Sequence, residues 1–228
     1  PLTSIKGSMG LLLSKAAGQL PPKAEGLLEI AHRNADRLVL IINDILDMEK
    51  ISSGRLDFEL ETADLSELVA ESLRANATAH QRFGLQIKCH GVDTPTYIET
   101  DANRIIQVLT NLMSNAAKFS KPGGTVEISV EKTPENVCVS VRDEGMGIAP
   151  EDQHKIFQRF ADMANSDRAT KGGTGLGLSI CKAIVEGLGG TIDFVSKEGR
   201  GTTFTFTLPV KTRHSGPEND FERLENVG

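Results

Sequence analysis

Apolar residues step by three and four through the first fifty positions of the chain, and by two through much of the remainder. Leu2, Ile5, Met9, Leu12 and Ala16 keep the spacing of a coiled-coil seam. "GQLPP" at 18–22 interrupts the stepping, and Pro22 can open the next helix because the first helical turn does not use its N–H. Leu27, Ala31, Asn34, Leu38, Ile41, Ile45 and Met48 then resume the same rhythm, with Leu28, Ala35 and Ile42 as a second stripe beside it. Two helices cannot bury both stripes against each other. The pattern therefore predicts a helical hairpin over 1–55 that joins a second copy in a dimeric four-helix bundle. Docking of the hairpin on the chain's own globular part is the competing expectation.

"SSGR" at 52–55 ends that unit, and the texture changes. "RLDFEL" and "LQIKCHGV" alternate like strands around a helix near 64–81. A long helix is expected from Asp101 to Phe119, with Asp101 as its N-cap. "TVEISVEK" and "NVCVSVRDEG" are β-rich runs joined by the turn "TPE". A helix to about Leu188 and a closing hairpin, "GGTIDFVSKEGRGTTFTFTLPV", complete the unit. This is an α+β class, a two-layer α/β sandwich with helices on one face of a mixed sheet, over 56–210. Residues 211–228 are polar and aperiodic, a tail or linker.

Composition narrows this picture without redirecting it. The 228 residues are 39% hydrophobic and 25% charged, with no tryptophan and one tyrosine, so the core must be aliphatic with a few phenylalanines. A formal net charge of −6 offers no footprint for nucleic acid or an anionic membrane. The longest aliphatic run, "LVLII" at 38–42, is too short to span a bilayer, so no direct membrane contact is expected. Cys89, Cys138 and Cys181 lie far apart in apolar runs, which predicts buried, reduced thiols and a cytoplasmic setting. The chain opens on Pro1 and reads as a piece of a longer one, whose upstream part could hold a membrane anchor.

Three clusters carry candidate chemistry. On the long helix, Asn111, Asn115 and Lys118 fall within about 60° of one another at roughly 100° per residue. Ile105, Leu109, Leu112, Ala116 and Phe119 share a separate, apolar face. Two asparagines in one helical turn cost stability. An amide oxygen is a hard ligand suited to magnesium, and a lysine one turn on can meet phosphate as a point charge. Taken alone, a solvated polar face explains these residues equally well.

In "VRDEGMGI" a strand ends at Asp143, and Gly145 and Gly147 let the chain turn tightly. A carboxylate there can accept a hydrogen bond from an exocyclic amine such as adenine's, although an ordinary Asp turn has the same sequence. The third cluster, "KGGTGLGLSICKAI", sets Gly172, Gly173, Gly175 and Gly177 before a helix. It is neither a Walker A loop, since Leu178 stands where lysine is required, nor a dinucleotide fingerprint. Bare backbone N–H groups leading into a helix N-terminus still make an anion site, with a ligand-free glycine hinge as the alternative. The missing lysine's work would fall to Lys118. Between these clusters, Phe157 and Phe160 are helix-spaced and expected to pack inward. The polar stretch to Lys171 reads as a flexible lid carrying Arg159, Arg168 and Lys171 near the phosphates.

The series "NLMSNAAKFS", "DEGMGI", "FQRF" and "GGTGLGL" resembles the N, first glycine, F and second glycine boxes of bacterial sensor histidine kinases, in that family's order. The resemblance reaches to about Val210. It implies the ATP-binding fold shared with type II topoisomerases, mismatch-repair ATPases and heat-shock ATPases, with ATP and Mg2+ as cofactors. It also implies that Asn115 ligates the magnesium, and that Asn111 and Lys118 lie beside the phosphates. Asp143, with Gly145 and Gly147, would read adenine. Arg168, Lys171, Gly173, Thr174, Gly175, Leu176 and Gly177 would line the triphosphate under the lid. "PLTSIKGSMGLLL" and "RLVLIINDILDMEKISSGRL" resemble the phosphoacceptor hairpin. Pro1 matches the proline of its H-E-L-R-T-P box, so the acceptor histidine would lie five residues upstream. Of the histidines present, His32, His80, His90, His154 and His214, each is expected to be a surface residue. The implied function is autophosphorylation of that upstream histidine from Mg-ATP, then transfer to an aspartate of a response-regulator receiver domain. The 228 residues alone would then be unable to autophosphorylate. Alternatives are a clamp-closing ATPase of the same fold and a non-catalytic signalling module.

Overall fold

The computed structural model describes residues 1–16, 18–160 and 174–210. Two helices, α1 (Leu2–Leu13) and α2 (Pro22–Ser52), form an antiparallel pair. Pro22 stands at the start of α2, as its missing N–H allows. Of the second stripe, Leu28 and Ala35 are drawn in beside α1, together with His32, whose ring lies against Gly10, whereas Ile42 stays exposed. Leu27, Leu38 and Ile45 of the first stripe remain exposed. Met48, assigned to that stripe by its spacing, departs from it and is buried in the core of the following unit.

That unit begins with a correction. "RLDFEL" alternates but makes no strand. Leu56 and Phe58 pack on the core from an extended strap, and the Glu59 N–H bonds to the Asp101 carboxylate at 3.1 Å instead of to a neighbouring strand. The first strand is β1 (Glu61–Asp64), followed by α3 (Leu65–Arg82), β2 (Gln86–His90) and β3 (Tyr97–Thr100). β1 pairs antiparallel with β3 in a small two-stranded sheet, and β3 has no counterpart in the expected elements. The order continues α4 (Ala102–Phe119), β4 (Thr125–Lys132), β5 (Asn136–Asp143) and the short α5 (Pro150–Gln153). It closes with α6 (Gly177–Gly187), β6 (Thr191–Lys197) and β7 (Gly201–Pro209).

Five strands form the main sheet in the order β2-β4-β5-β7-β6, with β2 parallel to β4 and the other pairs antiparallel. Register explains its two faces. Ile128, Val141 and Phe204 lie in line across three strands, as do Val130, Val139 and Phe206, and they are buried. The alternate residues are polar and pair laterally, Ser129 with Ser140 at 2.7 Å and Thr191 with Thr207 at 2.8 Å. The apolar face meets α4, through Ile105, Val108, Leu109, Leu112 and Met113, and α6, through Ile180, Ile184 and Val185. Each such side chain contributes roughly 1.5–3 kcal/mol on burial. The expected sandwich is the observed one.

Three further expectations are adjusted. Phe157 packs edge-on against Phe194 and Phe204, whereas Phe160, at φ 60°, is exposed. Cys181 is buried, but Cys89 and Cys138 are only half-buried, Cys89 because it lies on the edge strand β2 and Cys138 because it lies on the polar face of β5. His80 is buried inside α3, and this desolvation holds its imidazole pKa below the usual value.

Asp101 fastens the strap to α4. One carboxylate oxygen accepts from the Arg104 N–H at 3.1 Å as the helix cap, and the other accepts from Glu59. Asp101→Ala should lower stability by about 1–2 kcal/mol, measured as a shifted urea midpoint with an unchanged slope.

Candidate functional site

α4 is apolar toward the sheet and polar on the side facing α2 and the start of α6. Between these helices runs a cleft of about 830 Å³. Asn111, Asn115 and Lys118 line it from α4, and Thr174, Gly175 and Gly177 line it from the glycine-rich segment. These six residues of the expected site are brought together. The Asn115 amide donates to Asn111 Oδ1 at 2.9 Å, which spends a nitrogen and keeps Asn115 Oδ1 available as a hard ligand. Lys118 lies in the same wall, its Nζ 4.5 Å from the centre of the Phe119 ring.

Gly177 answers to packing as well as to any ligand. A Cβ there would overlap the Asn111 amide, so glycine lets the N-terminus of α6 close on α4. The first residues of α6, Gly177 and Leu178, line the cleft, and a helix N-terminus there favours an anion. The Thr174 hydroxyl accepts from the Leu176 N–H at 3.2 Å, ordering this entry. Leu176 itself turns inward and is buried, so only its backbone can serve a ligand.

Asp143 closes β5 beside the C-terminal end of α4. Its Oδ1 accepts from the Gly145 N–H at 2.8 Å, and it is buried. Burial pushes its carboxyl above the ordinary pKa, partly offset by hydrogen bonds from the Gly145 and Thr202 backbone. The turn depends on close backbone approach. Gly145 sits against the Phe119 carbonyl, and Gly147, at φ 68°, has no room for a Cβ beside the Lys197 carbonyl. Asp143 and Gly145 adjoin the C-terminal end of α4, Gly147 packs on the end of β6, and none of the three lines the 830 Å³ cleft. Arg168, Lys171 and Gly173, with the stretch read as a lid, lie outside the described residues, as do His214 and the polar tail.

The sequence reading missed the wall supplied by α2. Asp47 is buried and accepts from Arg104 Nη1 at 2.9 Å and from Gln107 Nε2 at 2.7 Å. Asp44 Oδ2 accepts from the Thr174 hydroxyl at 2.6 Å. Burial raises the Asp44 pKa, the Thr174 bond lowers it and the Asp47 charge raises it further. The available signal was the polar stepping Asp44, Asp47, Lys50 along the C-terminal part of α2, where the apolar stripes run beside it.

Two known domain families match the chain. Residues 1–54 match the His Kinase A (phospho-acceptor) domain, and residues 100–212 match the histidine kinase-, DNA gyrase B- and HSP90-like ATPase. The catalytic domain of histidine kinase ThkA is 32% identical with a TM-score of 0.59, covering 66% of this chain and 95% of its own. The chain belongs to the sensor histidine kinase family. Full-length ShkA in complex with AMPPNP aligns over 91% of this histidine kinase core and 43% of its own chain, at 25% identity and a TM-score of 0.71. The circadian input-output histidine kinase CikA of Synechococcus elongatus is 34% identical over 215 residues, 93% of this chain and 28% of its own length. The chain spans between about a quarter and a third of the curated relatives it matches. The phospho-acceptor match over the hairpin separates this kinase core from clamp ATPases, which share only the ATPase fold. Its ATPase domain is of the ATP-binding type. No described helix is long and apolar enough to cross a membrane.

Proposed function

We propose that this histidine kinase core binds Mg-ATP and serves transfer of its γ-phosphoryl group to the histidine of the phosphoacceptor box, which is not among these 228 residues, and from which an aspartate of a response-regulator receiver domain takes it. One observation carries this reading. The amide and ammonium side chains of α4 and the N-terminal residues of α6 line a single cleft that the hairpin helix α2 walls on its far side. In this reading Asn115 Oδ1 is the metal ligand, suited to magnesium as an uncharged oxygen on a rigid helix. Magnesium, when bound, neutralises phosphate charge. Asn111 and Lys118 hold the phosphates, and the N-terminus of α6 stabilises their charge through aligned N–H groups. Asp143 accepts from the adenine amine, with Gly145 and Gly147 holding the turn flat beneath the base. Arg168, Lys171 and Gly173 complete the triphosphate wall. Positioning and charge stabilisation supply the catalysis.

The proposal includes a homodimer through the hairpin, a cytoplasmic setting, and a division into 1–55, 56–210 and a polar linker at 211–228. Calorimetry tests the nucleotide site. Asn115→Ala should weaken Mg-ATP about tenfold or more while leaving adenosine unaffected, since it removes a metal ligand. Asp143→Ala should weaken both ligands. Wild-type affinity in both variants would remove the assignment.

A further inference from the structure

Two carboxylates of α2 reach the ATP-domain wall, and their surroundings differ. Asp47 is neutralised by the Arg104 guanidinium at 2.9 Å and held by Gln107. Asp44 has the Thr174 hydroxyl at 2.6 Å and, among the described residues, no cation within ion-pair reach. It is half-buried and lines the same cleft as Asn111, Asn115 and Lys118. The other charged groups facing the cleft are Arg37, Asp47 and Lys50 from α2, and Arg104 and Lys118 from α4.

A negative group held in a partly desolvated cleft repels a second negative group entering it, and the repulsion grows with the entrant's charge. We propose that Asp44 is a charge gate of the nucleotide cleft, penalising the triphosphate while α2 is docked and so setting nucleotide binding against docking. This rests on the reading of the cleft as the ATP site. The coupling is reciprocal by thermodynamic linkage. If docked Asp44 weakens the triphosphate, the triphosphate weakens the Asp44–Thr174 contact and loosens α2. Thr174 is the hinge of the exchange, because its hydroxyl both ties down Asp44 and orders the entry to α6. Docked α2 thus selects against the charged ligand, and a loaded ATP domain is biased to leave that position.

The test is calorimetry on the full 228-residue chain with Mg-ATP, Mg-ADP and adenosine. Asp44→Asn keeps the side chain's size and should tighten Mg-ATP about tenfold, Mg-ADP by less, and adenosine not at all. Asp44→Ser should give the same ordering, and Asp44→Glu should restore the wild-type ratio. A merely structural role would move all three ligands together. Amide hydrogen exchange over 40–50 should rise with Mg-ATP in the wild type, not with adenosine, and should lose this dependence in Asp44→Asn. An unchanged ratio of ATP to adenosine affinity in both uncharged variants overturns the gate while leaving the ATP site standing. A wild-type chain that binds no nucleotide overturns the site and the gate together.

Discussion

Incubated with labelled Mg-ATP, the 228-residue chain should bind nucleotide and gain no acid-labile phosphoryl label. The reason is the placement of its histidines. His32 faces α1, with its Nδ1 3.2 Å from the Asp36 carboxylate. His80 is buried in α3, and His90 pairs with Glu127 on β4 at 2.8 Å. His154 comes just after α5, and none of these four lines the cleft of Asn115 and Lys118. Transfer needs a nucleophile held within about 3–3.5 Å of the phosphorus in line with the leaving group, and no described imidazole meets that condition. Adding His-Glu-Leu-Arg-Thr ahead of Pro1 should turn labelling on, and Asn115→Ala in that longer chain should abolish it. Label on the 228-residue chain that disappears in His32→Ala would identify His32 as the acceptor. Label indifferent to every histidine substitution would mean another nucleophile.

The fold was legible where one element carries its own signal. α4 announces itself by a cap, an apolar face and a polar face within eighteen residues, and β4 and β5 by unbroken alternation around a three-residue turn. β1 and β3 have four residues each, too few for a period to register. "RLDFEL" shows the converse. Its alternation is real, since Leu56 and Phe58 do face the core, but alternation describes side chains. Whether a backbone joins a ladder depends on what lies beside it, and here that is the carboxylate of Asp101, forty-two positions away.

The same division runs through the site. Asn111, Asn115 and Lys118 could be grouped from spacing because one helix sets their relative angles. Their meeting with Thr174, Gly175 and Gly177 was implied by the family resemblance, and the packing of Gly177 on Asn111 gives it a physical basis. Nothing in the periodicity of α2 says what its polar face meets. Asp47 finds Arg104 across 57 positions, and Asp44 finds Thr174 across 130. A polar step on an amphipathic helix is compatible with solvent or with a charged partner, and only the fold says which.

The apolar seam left open on the hairpin should hold two copies together, and two charges should part them. Leu27, Leu38 and Ile45 are exposed at 69%, 49% and 52%, with Ile5, Leu11 and Ile30 nearby in the same state. Leu27, Leu38 and Ile45 fall within about 20° of one another around α2, so they form one apolar line, and a monomer rarely leaves such a line to water. Met48, the next step of the same stripe, turns into the core of the ATP-binding unit, so the seam ends near Ile45. One end of α2 would therefore serve pairing while the other docks on the ATP-binding unit. Leu38→Asp and Ile45→Asp would place unpaired carboxylates inside the pairing seam, at a cost of several kcal/mol per dimer. Sedimentation should show a dimer for the wild type and a monomer for the double variant at micromolar concentration. Val195→Asp, 80% exposed on β6 and remote from α2 in the chain order, should leave the dimer intact. A wild-type monomer at tens of micromolar would assign the seam to another occupant, and a dimer that survives both aspartates would place the contact elsewhere.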